Sequence, residues 1–184
     1  ADEDEVVMRF AYADPPYPGM AKRHYADQPI CKEVNHRLLI GTLCESFDCW
    51  ALSTSSTALQ QVLCLCPPDV RIGAWVKPFA SFKPGVNPAY AWEPVILWHG
   101  AQLGRDVPTV RDWCAVNITM QTGLAGAKPR EFCNWLFSFM GLSPDDEFVD
   151  VFPGTGAVAN AWHDWRLAQM GAYMEVGLFA EVAA

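Results

Sequence analysis

Two short stretches of the chain hold residue types that chemistry needs. The first is Asp14-Pro15-Pro16-Tyr17, directly after an apolar, β-prone run from Val6 to Ala13. Its prolines fix φ and stiffen the turn. Asp14 is therefore expected at the carboxyl edge of a sheet, where α/β proteins bind ligands. An acid, a Pro15 carbonyl outside any ladder and the flat ring of Tyr17 suit a planar ring bearing an exocyclic amine. Two acceptors hold the amine while the phenol stacks on the ring. The second stretch is Phe152-Pro153-Gly154-Thr155-Gly156, between an apolar run and a helical pattern. Two glycines let a ligand approach the backbone closely. The helix that follows offers free amides and the positive end of its dipole. Asp150 stands just before, an acid placed to meet an ammonium or a hydroxyl. About twenty residues past the glycines comes Tyr173-Met174-Glu175, and an acid at the end of the next strand suits a ribose diol. Each motif alone is a weak signal: a Gly-rich turn after a strand is most often just a tight turn, and a DPPY tetrapeptide occurs by chance at a low but not negligible rate. Their conjunction, each after a buried strand, is far more specific.

The elements that must position these residues follow from pattern. Cys49 to Ser53 is a buried strand, Val70 to Val76 a third, Trp92 to Trp98 a fourth and Trp113 to Ile118 a short fifth. Phe148 to Phe152 is another, and a last strand is expected at Tyr173 to Val176. Between them, Val34 to Phe47 reads as a helix through Leu38, Leu39, Leu43 and Phe47. Ser53 to Ser56 can cap a helix that Pro67-Pro68 stops. Pro129 opens a helix with the stripe Phe132, Trp135, Leu136, Phe139 and Met140, and Gly141 can end it. A helix from Ala157 to about Ala168 follows the glycine turn. Strands alternating with helices predict a single α/β domain over residues 1–184, mostly parallel, with helices on both faces.

Composition narrows the classes further. Of 184 residues, 51% are hydrophobic and 18% charged, which suits a packed core and excludes wholesale disorder. No apolar run is long enough to span a bilayer. The acidic start, Asp2 to Glu5, is unlike a secretory signal, so a cytoplasmic protein is expected. Thirteen Lys and Arg against 21 Asp and Glu give a net charge of −8. An acidic chain is repelled by nucleic acid at long range, so a nucleic-acid site must be a local basic patch or come from a partner. Lys22, Arg23, Lys32 and Arg37 are one such patch. Seven cysteines without an export signal read as reduced thiols. Cys64-Leu65-Cys66 lacks zinc-ligand spacing, and no metal is expected.

The conjunction of motifs resembles S-adenosylmethionine-dependent amino-methyltransferases acting on adenine or cytosine. Asp14-Pro15-Pro16-Tyr17 matches their catalytic motif and Phe152-Pro153-Gly154-Thr155-Gly156 their cofactor loop. The catalytic motif comes first, as in the permuted beta-class order and in MT-A70-like adenine methyltransferases. Lys128-Pro129 matches the segment before the cofactor loop, and the chain is also similar to short phage methylases. The resemblance covers nearly the whole chain. It implies a Rossmann-like fold and methyl transfer from S-adenosylmethionine to the N6 of adenine in DNA, single-stranded or with the base flipped. Cytosine N4, RNA, and a silent subunit of a heterodimer are the alternatives. By the same resemblance Asp14, Pro15, Pro16 and Tyr17 are catalytic. Asp14, Lys128, Asp150, Phe152, Pro153, Gly154, Thr155, Gly156 and Glu175 bind the cofactor, with Lys128 on its carboxylate. His24, Tyr25, Lys77 and Trp92 are weaker candidates for the substrate, and Lys77 with Glu93 also reads as a structural salt bridge. No stretch is large enough for a recognition domain, so loose specificity, a homodimer or a separate recognition subunit is expected in a bacterial, or phage-infected, cell. A dehydrogenase-like domain fits less well, because Gly156 is followed by Ala157, Val158 and Ala159 and the third glycine is absent.

Overall fold

The computed structural model describes residues 7–17, 34–79, 84–100, 108–118 and 127–182, the last stretch from 172 onward as backbone only. In chain order the elements are β1 (Arg9–Ala13), α1 (His36–Ser46), β2 (Cys49–Ser53), α2 (Leu59–Leu63), β3 (Arg71–Val76), β4 (Trp92–His99), β5 (Trp113–Ala115), α3 (Arg130–Met140), β6 (Glu147–Asp150) and α4 (Ala157–Val182). One six-stranded sheet runs in the order β5-β3-β4-β2-β1-β6. β1 pairs in parallel with β2 and β6, and β3 in parallel with β5. Among the described strands only β4 runs against its neighbours, β2 and β3.

Strand side chains alternate between the two faces. On one face Phe10, Tyr12, Cys49, Ala51, Trp75, Val95 and Leu97 pack under α3 and the start of α4. On the other, Ala11, Ala13, Trp50, Leu52 and Ile96 pack under α1 and α2. β2 is buried along its whole length, as an interior strand covered on both faces must be. The first face is aromatic. Phe137 meets Phe148, Trp162 and Trp165 edge-on, with ring centroids 5.2 to 5.7 Å apart. Such contacts add to the ~1.5–3 kcal/mol that burying each large apolar side chain contributes.

Helix ends follow local chemistry. Asn35 caps α1 by accepting from the Leu38 amide at 3.1 Å. Pro129 is the residue before α3 rather than inside its first turn, and Gly141 ends that helix in the left-handed conformation. Cys133 and Phe137 join the expected apolar stripe of α3 as buried residues, while Trp135 lies at its margin.

The expected strand at Tyr173 to Val176 is absent. That segment continues α4, which runs to Val182. Gly171 and Gly177 are its weak points, and each glycine costs a helix only about 1 kcal/mol, so nothing there stops it. Three strands are shorter than their apolar runs suggest: β1 begins at Arg9, β5 ends at Ala115 and β6 ends at Asp150. Val151 and Phe152 have already turned toward the α1 and α2 face.

Candidate active site

β1 and β6 are parallel neighbours whose following helices pack on opposite faces. α1 takes the chain from β1 toward β2 on one face, and α4 leaves β6 on the other. A crevice opens between such strands at their carboxyl ends, the topological switch point where α/β sheets bind ligands. Asp14 follows β1 at this edge, and the Phe152 to Gly156 turn follows β6.

The same-face alternation explains what gathers there. On the α3 and α4 face, buried apolar residues in mid-strand give way to polar ones at this edge. Tyr12 is followed two residues on by Asp14, Ala51 by Ser53, Trp75 by Lys77 and Phe148 by Asp150. Antiparallel β4 reaches the edge with its beginning, so Glu93 precedes Val95 by two. The tail of the hydrophobic core thus becomes a row of polar groups.

Lys128, just before α3, reaches into this row. Its Nζ lies 3.0 Å from Asp14 Oδ2 and 3.4 Å from Glu93 Oε2, and its side chain is only 7% exposed. Glu93 also pairs with Lys77. The result is an alternating series: Asp14, Lys128, Glu93, Lys77. Both ammoniums lie over the Trp75 ring, 4.5 Å from its centroid for Lys77 and 5.1 Å for Lys128. The Trp75 indole is held by donating to the Val116 carbonyl at 2.7 Å.

Burial is the strongest single influence and works against the Lys128 charge, but Asp14, Tyr17 and Glu93 around it together outweigh burial and raise its pKa above the usual lysine value. Burial likewise works against ionised Glu93, yet Lys128 and Lys77 hold its carboxyl below the usual range. Burial pushes the Tyr17 phenol well up despite the nearby Lys128 charge, so its ring stays neutral. Asp150 differs. Its Oδ1 accepts from the Phe152 amide at 3.3 Å, while its Oδ2 is buried without a partner among the described residues. Burial, with Asp14 nearby, raises its pKa.

The glycine turn has the conformation its sequence suggests. Gly154 has φ +49° and Gly156 φ +76°, values that side-chain-bearing residues rarely adopt. The Gly156 amide donates to the Pro153 carbonyl, which tightens the turn as α4 begins. No atom lies closer than 3.8 Å to where a Gly154 Cβ would stand, so the backbone here is open to a ligand.

Of the residues singled out in the sequence, Asp14, Tyr17, Lys77, Lys128 and Asp150 come together at this edge, with Pro15 buried behind Asp14. Phe152 packs toward the α1 and α2 core, beside the turn that carries Pro153, Gly154, Thr155 and Gly156. Trp92 alternates away from Glu93 to the opposite face and is half exposed. Glu175 is corrected: it lies within α4, not at a strand end, about 27 Å along the helix axis from its start at 1.5 Å per residue. His24, Tyr25, Lys22, Arg23 and Lys32 lie outside the described residues. Glu93 is the residue that the sequence undervalued. A glutamate two positions ahead of a buried valine, at the start of a strand, was the available signal.

An apolar hollow of about 460 Å³ lined by Ser56, Leu59, Gln60, Leu63 and Cys64 lies at α2, away from the charged row, and gathers no charged groups. Among the described residues no group of three or more His, Cys, Asp or Glu could hold a metal ion, and no helix is long and apolar enough to cross a membrane.

Strand order, one reversed strand among those described, and helices on both faces make a Rossmann-like α/β fold. Two of the solved structures that share it are of M1.HpyAVI. The M1.HpyAVI–SAM complex aligns with TM-score 0.62 at 14% identity, over 87% of this chain and 79% of that one. A second structure of M1.HpyAVI aligns with TM-score 0.58 at 13% identity, over 88% and 78%. No family model matches the chain, and no curated protein matches it by sequence.

Proposed function

We propose that this chain is an S-adenosylmethionine-dependent methyltransferase acting on the N6 amine of adenine in DNA. The observation that carries the reading is one sheet edge, at the topological switch point, that bears two different kinds of group. Asp14, held by the Lys128 ammonium, stands on the β1 side. The open Gly154 to Gly156 turn stands on the β6 side. The likeness in fold to a structure solved with SAM supports the choice of cofactor.

The residues on the β6 side fit that cofactor. Asp150 Oδ2 is a buried acceptor in need of a donor, and an ammonium or ribose hydroxyl supplies one. Gly154, Thr155 and Gly156 offer backbone to a ligand at the positive end of α4. When bound, S-adenosylmethionine supplies an electrophilic methyl group.

On the β1 side, Asp14 accepts a hydrogen bond from the target amine. This draws the nitrogen lone pair out of conjugation with the ring and aims it across the crevice. The neutral Tyr17 ring stacks on the base. As the amine takes on positive charge, the Asp14 carboxylate stabilises it, and the proton leaves afterwards to solvent. Catalysis is orientation and electrostatics, without a covalent enzyme adduct. Lys128, enclosed by protein carboxylates, holds the Asp14 carboxylate in place. With a net charge of −8, the chain has little long-range attraction for DNA, which fits loose specificity or a separate recognition subunit.

The test is incubation with radiolabelled S-adenosylmethionine and single- or double-stranded DNA or RNA, followed by digestion to nucleosides. Label in N6-methyladenine from DNA is expected. Label in N4-methylcytosine, or only in RNA, redirects the substrate assignment. No label on any nucleic acid, with cofactor binding shown in parallel, removes the proposal.

A further inference from the structure

We propose that Glu93 is a positioning residue that shares the Lys128 ammonium with Asp14 and so keeps the Asp14 carboxylate available to a target amine. The role of Asp14 in this inference rests on the methyl-transfer reading, whereas the placement of Lys128 does not.

The argument is one of competition. An ammonium has three donors and no acceptor. Lys128 lies between two carboxylates, 3.0 Å from Asp14 and 3.4 Å from Glu93, with the faces of Trp75 and Phe132 closing the remaining sides. It is too enclosed to exchange either carboxylate for water. Glu93 is in turn anchored by Lys77 on the neighbouring strand, so it cannot follow Lys128 toward Asp14. The register places Glu93 opposite Trp75, the residue both ammoniums lie over, and fixes the anchor to the sheet itself. Remove the Glu93 charge, and the full attraction of Lys128 falls on Asp14. A carboxylate committed to one close ammonium is a poorer acceptor for an incoming amine.

Glu93→Gln keeps the shape and removes the charge, and Glu93→Asp keeps the charge. In the full chain, Glu93→Gln is expected to lower kcat by about tenfold to a hundredfold, the worth of a hydrogen bond to a charged group. The KM for S-adenosylmethionine should stay within about threefold, since a uniform binding loss is not the mechanism. Glu93→Asp should recover most of the loss. A second readout needs no activity. The Lys128 ammonium should give a slowly exchanging NMR signal, assigned by its survival in Lys77→Arg, and that signal should shift in Glu93→Gln.

Unchanged kcat together with an unmoved Lys128 signal overturns the inference. So does a loss of kcat shared equally by Glu93→Asp, or one that follows lost stability while the signal stays put. If the wild type transfers methyl to no nucleic acid but the signal shifts, the methyl-transfer reading falls and the positioning of Lys128 stands. If Glu93→Gln does not fold, the displacement of the signal in Glu93→Asp decides.

Discussion

Lys128 Nζ lies 3.0 Å from Asp14 Oδ2, one residue delivered by the turn after β1 and the other by the turn before α3. The contact holds the Asp14 carboxylate in place at the edge of the sheet. Asp14→Ala should therefore lower transfer by about 10²- to 10³-fold, the range for loss of one preorganised electrostatic stabiliser. The fold should survive, because Glu93 still accompanies Lys128. Label transfer and circular dichroism check both halves. Full activity in the variant would sink the mechanism.

Lys128→Met is the harsher change. It leaves Asp14 and Glu93 facing each other without their shared cation. Breaking a buried pair by removing one partner costs about 3–5 kcal/mol, so the urea midpoint should fall steeply. Lys128→Arg, which keeps the charge, should lose much less.

At the other side of the crevice, Gly154 has φ +49°. A valine there takes on the left-handed penalty of roughly 1–2 kcal/mol for a residue with a Cβ. The turn should open rather than pay in strain, so cofactor affinity should fall while Asp14 chemistry is untouched. Calorimetric titration with S-adenosylmethionine reads this directly. Wild-type affinity in Gly154→Val would mean that the cofactor lies elsewhere.

Acid should separate Asp150 from Glu93. Burial raises the Asp150 pKa, so its ionised form is a burden on the folded state at neutral pH, relieved as pH falls through the raised value. Asp150→Asn should be more stable than wild type at neutral pH, with the gap closing on acidification. Glu93 has the opposite sign. Burial disfavours its charge, but Lys128 and Lys77 overcompensate and lower its pKa. It contributes stability above the ordinary carboxyl pKa that is lost as pH falls through its folded value. Glu93→Gln should be less stable at neutral pH, and that gap should also close in acid. Urea denaturation from neutral pH down to about pH 3 tests both, and two gaps of the same sign would contradict the assignment.

Most of the framework was legible because buried strands announce themselves. β2 has the bounds its sequence suggests, Cys49 to Ser53, since an interior strand is apolar throughout and flanked by polar residues. Asp14 and the glycine turn were legible because proline and glycine restrict or free the backbone locally. The reversal of β4 was not, because strand direction is decided by pairing partners far along the chain. Nor was the meeting of Glu93 with Lys128, which depends on that reversal. Tyr173 to Val176 misled because aromatic and β-branched residues favour strands in isolation, whereas here they continue a helix already nucleated upstream. Glu175→Gln accordingly should leave affinity for S-adenosylmethionine unchanged, and a marked loss would reinstate the acid as a ligand.

The reversed strand has one more consequence. Lys77 at the end of β3 and Glu93 at the start of β4 belong to one antiparallel pair, joined across their shared end of the sheet. Half of the charged row is therefore a cassette. It carries its internal ion pair with it, whereas Asp14 follows β1 and Asp150 ends β6, each strand followed by its own helix. Recombination that exchanges the hairpin would retune the Lys128 ammonium while leaving both walls of the crevice as they were.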